Sequence, residues 1–298
     1  MLINEAGLSV LRVSFSGSFK GALDGAKPGY QPITTIIPSV NESNIYAWLG
    51  QFPQMRKWVG DRIVKNLETF NYQVPNVDFE STVGVPRNKI LDDVWGVYGN
   101  LMAEMGLAAA MHPDEVLFGL LQNGAAATSL CYDGLSYFNA AHPSNGGTKA
   151  NYDSVAGTNS NLWCLLDTSR PLKPLIFQKR QDYTFREFAD TPENFHNFMR
   201  KEFLYGVDAR VAGAYGLWQS AYGSINDLNA TNVQSYVQAM MGLKTDEGKP
   251  LNIRPSVCVV GPSNWAAARA LFLVPTLTGG AANPNFGLCE VLQSAYLV

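Results

Sequence analysis

In the stretch Leu91–Asn123, the residues Val94, Val97, Tyr98, Leu101, Met105 and Ala108 recur at three- and four-residue steps. That spacing puts them on one face of a helix. Asp92 and Asp93 stand where a helix N-terminus favours acids. Pro113 should kink or restart the helix. Val116, Leu117, Leu120 and Leu121 carry the face on to a stop at Asn123-Gly124. A coaxial rod of this length is roughly 45 Å long. That is too long for an active-site helix in a compact domain, so it predicts a spine with sheets packed along it.

The flanks have other periods. Residues 1–44 are rich in Gly, Ser and Pro, which fits either an extended arm ordered by lying on something else or a floppy terminus, with Ile33–Ile37 as a candidate short strand. Asn44–Arg62 is amphipathic, with Trp48, Leu49, Phe52, Met55, Trp58 and Val59 on its apolar side. Ile63–Leu67 and Tyr72–Val74 read as extended, Pro75-Asn76 as a turn, and Val77–Val85 as an alternating strand. A two-stranded ribbon is marginal alone. It must lie on a neighbouring chain or fold back on its own domain.

Beyond the spine, Tyr132–Leu135 reads as a tight turn, Tyr137-Phe138 as a short strand and 144–161 as a surface loop. Leu162–Phe188 is mainly β, and Phe203–Tyr222 reads as twisted strands with Gly206, Gly213 and Gly216 at bends or close approaches. From Ile225 a distinct α/β unit follows. A helix is capped by Asn229 or Thr231 and carries Val233, Val237, Met240 and Met241 on one face. A doubly covered strand Ser256–Val260, a helix Asn264–Leu273 and a terminal strand Leu288–Val298 complete it.

Composition sharpens this. Hydrophobic residues are 46% of the 298 and charged ones only 16%, well under the usual quarter. So few charges point to a chain that either buries much surface in partners or is very compact. The net charge of −3 lacks the basic excess of a nucleic-acid reader. Cys131, Cys164, Cys258 and Cys289 show no CxxC spacing, which reads as reduced, partly buried thiols. No signal-peptide pattern and no run of 18 apolar residues occurs. The expectation is a soluble, intracellularly made protein with no membrane partner.

Candidate chemistry is thin. His112-Pro113-Asp114 matches a co-chaperone tripeptide but lies inside the helical pattern. His142 shares a loop region with Asp133 and Ser144, yet no GxSxG elbow accompanies it, and capping a turn suits it better. His196 sits in a polar linker. Lys179-Arg180 and Arg200-Lys201 are pairs rather than patches. No phosphate loop, dinucleotide, zincin or EF-hand pattern appears. Catalytic residues, metal ligands and cofactors are therefore expected to be none, and the chain is read as not an enzyme.

Several long segments, in order, resemble the Mu-like phage and prophage major head subunit family, the major capsid protein of a tailed bacteriophage. They are WLGQFPQMRKWVGDRIVKNL (48–67), GVY…AEMG…HPDE…LL (96–121), CYDG…YF…HP (131–143), LLDTSRPLKPLIFQKR (165–180), FMRKEFLYGVDARVAGAYGLWQSAYGS (198–224) and GKPLNIRPSVCVV with an NP…G tail (248–260, 283–287). The resemblance implies an α+β fold, the tailed-phage capsid fold of Hong Kong 97 type. It has an N-terminal arm (1–44), an E-loop region (45–90), a P-domain with spine helix and sheet (91–123 and 162–225) and an A-domain (124–161 and 226–298). One departure stands out: a module like 231–287 often precedes the LLDTS…KPLI segment in such heads, and here it follows.

What the resemblance implies for function is self-assembly into hexamers and pentamers that form the icosahedral head shell enclosing the phage double-stranded DNA genome. Its implied partners are further copies of itself, portal, a separate scaffolding protein, decoration proteins and non-specifically packaged DNA. Its place is the virion, after assembly in the host bacterial cytoplasm. Trp58, Arg62, Lys65, Phe79 and Arg87, on and around the ribbon, are the expected inter-subunit contacts, and deleting Phe70–Pro86 should leave a soluble subunit that cannot close shells. An encapsulin-like cellular nanocompartment is the alternative within the same fold, and a small-molecule enzyme the alternative outside it.

Overall fold

The computed structural model describes residues 5–46, 49, 71–92, 96–144, 146–158, 160–188, 199–245, 248–277 and 279–298. In chain order the helices are α1 (Glu5–Gly25), α2 (Arg87–Leu91), α3 (Val97–Gln122), α4 (Ala230–Met241) and α5 (Trp265–Phe272). The strands are β1 (Thr34–Pro38), β2 (Ser43–Ile45), β3 (Gln73–Pro75), β4 (Val77–Pro86), β5 (His142–Ser144), β6 (Gly147–Lys149), β7 (Tyr152–Asp153), β8 (Trp163–Leu166), β9 (Leu175–Phe188), β10 (Glu202–Tyr215), β11 (Ala221–Ser224), β12 (Val257–Val260) and β13 (Glu290–Gln293). Among these described residues no helix is long and apolar enough to cross a membrane.

The spine is present with revised ends. It begins at Val97, after Gly96 at φ +67°, a left-handed conformation that glycine adopts freely. Asp92 instead follows the short α2 as its C-cap. The helix runs on through Pro113 to Gln122, 26 residues and about 39 Å. Neither a break nor a restart occurs at the proline. α3 is gripped by α1 and by β9 and β10, and that packing outweighs one missing backbone bond.

The start of the chain departs most from expectation. Residues 5–25 form a 21-residue helix rather than extended backbone. Leu11, Phe15, Phe19 and Leu23 fall at every fourth position and pack into two clusters with Met102, Met105 and Ala109 of α3. Glycines and serines make this a poor helix by propensity, so tertiary packing carries it.

Two sheets follow. The first has the order β1-β9-β10-β4, with β1 parallel to β9 and the other pairs antiparallel. Thus Val77–Pro86 is no free ribbon: all ten residues pair with β10, from Val77↔Val211 to Pro86↔Glu202. Deleting Phe70–Pro86 would strip a strand from the sheet, so that deletion tests folding rather than shell closure. Β-ribbon character survives only where β3 pairs with β2. Gly216 makes the expected close approach: a methyl group there would lie 2.5 Å from the Lys173 carbonyl oxygen.

The second sheet has the order β13-β12-β8-β11-β7. It draws strands from both sides of residue 225, where the sequence placed the start of a separate unit. The reason is burial: all four residues of β12 are buried, so it needs β8 and β13 as neighbours on either edge. A single large core joins Leu117 and Phe118 of α3, Phe177 of β9, Trp163 and Leu165 of β8, and Val259 of β12. Asn229 caps α4, its side chain accepting from the Asn232 N–H. On that helix Val233, Tyr236 and Met240 are the buried residues, while Met241 is exposed. Tyr137 and Phe138 are buried in irregular backbone rather than a strand, and the terminal strand is confined to Glu290–Gln293.

Candidate functional site

Three arrangements could carry function: the joint between the arm and the spine, the buried histidine, and the outward apolar faces. The joint rests on one glycine and one aspartate. At Gly106 a methyl group would sit 2.2 Å from the Phe19 carbonyl oxygen, so the two helices touch backbone to backbone there. Two turns further along α3, Asp114 is buried. Its Oδ2 accepts from the Gly29 N–H and its Oδ1 from the Tyr30 N–H, both at 2.8 Å. Burial pushes this carboxyl up, and the two N–H donors only partly offset that. The third residue of His112-Pro113-Asp114 is thus a latch that sets where the chain leaves α1 and enters β1.

The β2–β3 ribbon has a similar anchor. Fully buried Gln178 of β9 accepts from the Tyr46 hydroxyl (2.8 Å) and donates to the Val74 carbonyl (3.1 Å) and to Asn76 Oδ1 (2.7 Å). A buried amide with all these bonds made fixes the ribbon's exit direction.

His142 opens β5 rather than capping a loop turn. It is fully buried, its ring stacked on Trp218 at 4.3 Å and 7°. Its Nδ1 meets Asp133 Oδ2 at 2.6 Å and its Nε2 the Tyr137 carbonyl oxygen at 3.2 Å. The Cys131 thiol donates to the other Asp133 oxygen at 3.0 Å. Burial alone would raise Asp133, but bonds from His142 and Cys131, the imidazole charge and the Leu135 N–H outweigh it and hold the carboxyl below its usual range. Cys131, Asp133 and His142 offer ligand atoms within 4.8 Å of one another, the kind of set a cation uses. They do not fit one well. Each already satisfies another, and burial pushes the Cys131 thiol far up, away from the thiolate that binds metal. Both ring nitrogens of His142 face oxygens of Asp133 and Tyr137 rather than a nucleophile, so the cluster braces the loop after the spine. All four cysteines are free and buried.

The expected contact residues fall in different places. Trp58, Arg62 and Lys65 lie outside the described residues. Phe79 is half-buried on β4, its ring edge-on to His112 at 4.3 Å. Arg87 opens α2, its backbone N–H donating to the Lys201 carbonyl at 2.7 Å. His112 itself shares a 2.5 Å hydrogen bond with the Tyr183 hydroxyl, and burial pushes its pKa down. Reading the sequence missed Phe15, Phe19, Asp114 and Gln178. The four-residue stripe from Leu11 to Leu23 could have found the first two. Nothing local marks the others, whose partners lie 84 or more residues away.

Large apolar side chains remain outside: Val13 is 70% exposed, Val40 73%, Ile45 58% and Phe286 53%. An open groove of about 550 Å³ runs between α4 and Pro284–Leu288, lined by Val237, Met241 and Leu288. An apolar-lined groove of this kind is a candidate protein interface.

The comparisons with known proteins agree with such a surface. The model of the family described as Mu-like prophage major head subunit gpT matches residues 8–297. The major capsid protein of Escherichia phage Mu is 37% identical over 317 aligned positions, covering 100% of both chains. Among solved structures, the procapsid of bacteriophage JBD30 superposes with a TM-score of 0.86 at 42% identity, over 99% of this chain and 100% of that one. The capsid of the same phage decorated with minor capsid protein trimers gives 0.77 at 34% identity over 100% of both.

Proposed function

The chain belongs to the family of Mu-like prophage major head subunits, and from that premise we propose how it builds its shell. It is a major capsid protein of a tailed phage, of the α+β Hong Kong 97 type, and a structural protein rather than an enzyme. Copies assemble with one another in rings of six and five, and these close into an icosahedral shell around double-stranded DNA held without sequence preference. A separate scaffolding protein shapes the precursor, a portal occupies one vertex, and decoration proteins sit on the finished surface. Assembly takes place in the host bacterial cytoplasm. The shell's mechanism is packing and register. Many moderate interfaces, repeated, give a stable particle.

We assign the sheet β1-β9-β10-β4 with α1 and α3 to the peripheral domain, and the sheet β13-β12-β8-β11-β7 with α4 and α5 to the axial domain. The axial units meet at capsomer centres through the apolar faces around Phe286 and Met241. Trp58, Arg62, Lys65, Phe79 and Arg87 contact the adjacent subunit. The observation that carries this reading is the end-to-end likeness to the JBD30 procapsid subunit.

The test is negative-stain electron microscopy of the purified protein, made with and without the neighbouring head genes. Closed particles, rings or tubes of capsid scale are expected. A uniformly small species under every condition and concentration would sink the assembly reading.

A further inference from the structure

His112 stands where the spine crosses the first sheet. Its ring lies edge-on to Phe79 of β4 at 4.3 Å and to Tyr183 of β9 at 5.8 Å. Its Nδ1 shares the 2.5 Å hydrogen bond with the Tyr183 hydroxyl. One residue of α3 thus touches two strands. Between them runs β10, which places the small, buried Ala209 opposite Phe79. β9 is irregular at this point. The three steps from Gln181 to Thr184 face two steps of β10, and the two steps from Lys179 to Gln181 face one. Bulges of this kind re-aim a side chain. Here the Tyr183 N–H donates to the Asp182 carboxylate at 2.9 Å, and the Tyr183 hydroxyl reaches across to α3.

Further along, the same helix meets the sheet through apolar groups. A methyl group at Gly213 of β10 would lie 2.8 Å from Leu120 and 2.9 Å from Val116, so the strand backbone carries the helix directly. The joint therefore has a fixed apolar end and a titratable end. Burial pushes the Tyr183 hydroxyl up, so it keeps its proton and donates it to Nδ1 of the neutral ring. A proton added at Nδ1 would meet that hydrogen, and the hydroxyl would have to turn away. Glu115 of α3 favours the added proton, but burial outweighs it and holds the ring below the usual histidine range. Asp114 is turned to the Gly29 and Tyr30 N–H groups. On β4 and β10, Asp78, Glu80, Asp208 and Arg210 alternate onto the far face of the sheet. Arg12, Lys20 and Asp24 of α1 are exposed.

We propose that His112 is a proton-sensitive pin between spine and sheet: neutral, it holds β4 and β9 on α3, and protonated, it releases that end of the joint while the contact at Gly213 stays. The stability it contributes is full above about pH 6.5, the ordinary histidine value, and is lost as pH falls through the lowered value. The freed strand β4 carries Phe79 and leads into Arg87, so acid acting on the pin would also loosen two residues assigned above to the adjacent subunit. That consequence rests on the assembly reading, whereas the pin itself belongs to the single subunit.

Amide hydrogen exchange of the full-length, unassembled subunit tests this, with exchange times scaled for the intrinsic rate, from about pH 7.5 to about pH 4.5. In the wild type, protection over 77–86 and 181–188 should fall about threefold or more across that range, while β8 and β12 keep theirs. His112→Gln can still accept from Tyr183 through its amide oxygen but takes no proton, so it should show no such fall. Tyr183→Phe removes the bond that favours the neutral ring, so its fall should begin at higher pH, a shift that a purely structural role would not produce. An equal fall in wild type and His112→Gln overturns the proposal. So does a wild type that loses protection nowhere, or by the same factor in every element. If His112→Gln does not fold, Tyr183→Phe decides: an onset at the wild-type pH overturns the pin. The subunit result is independent of shell formation, so its failure leaves the assembly reading standing.

Discussion

Asp114 shows how much one side chain does here. Its two oxygens hold the Gly29 and Tyr30 N–H groups. Asp114→Ala should cost the subunit about 2–4 kcal/mol, because buried donors left without acceptors lose most. Urea unfolding of the unassembled subunit measures it, and a loss under half a unit would mean that water serves the turn equally well. Asp133 makes a pH prediction. Its carboxyl is held below the ordinary carboxylate range. The stability it contributes is therefore full above about pH 4 and is lost as pH falls through the lowered value. Asp133→Asn should lower the thermal midpoint by about 3–5 °C near neutral pH. The gap to wild type should close in acid, below about pH 4. A gap that stays constant as pH falls well below about 4 would mean the charge on Asp133 contributes nothing.

At the scale of elements, the decisive contact is α1 on α3. Gly106→Ala puts a methyl group against the Phe19 carbonyl oxygen, and backbone cannot rotate away as a side-chain end can. α1 must lift, at a cost of about 2–3 kcal/mol. Amide hydrogen exchange over 5–25 should then speed by about tenfold or more, while the β8–β12 pair keeps its protection. Equal protection in both proteins would show that α1 is held elsewhere. The spine was readable from its periodicity. So was β12, from four consecutive apolar residues. The arm was misread because glycine and serine dominate its composition, and its stripe of Leu11, Phe15, Phe19 and Leu23 has meaning only against a second helix. The ribbon was half read: Val77–Val85 alternates as a strand must, but alternation does not name the partner, which lies more than a hundred residues on, in β10.

At the scale of the whole molecule, few charges and many outward apolar side chains predict how assembly responds to conditions. Contacts through Val40, Ile45 and Phe286 draw on the hydrophobic effect, which weakens on cooling. Purified subunits should form more large particles at 30 °C than at 4 °C. Their yield should change by less than about threefold between low and physiological salt. Sedimentation velocity at both temperatures checks this. Assembly that is stronger in the cold, or abolished by moderate salt, would assign the interfaces to ion pairs instead.

Periodicity, composition and segment resemblance together determined the class of this chain. They settled an α+β shell subunit with a long apolar spine, low charge, no catalytic pattern and surfaces left for partners. Those properties depend on local spacing and bulk content, which a sequence displays directly. The tertiary structure alone decided which elements meet. It turned the arm into a helix by giving its phenylalanines a groove, made a ribbon strand the edge of a sheet, buried His142 against Trp218 and placed Asp114 under a distant turn. Each of these depends on contacts between residues far apart in the chain, and no local pattern encodes such a partner.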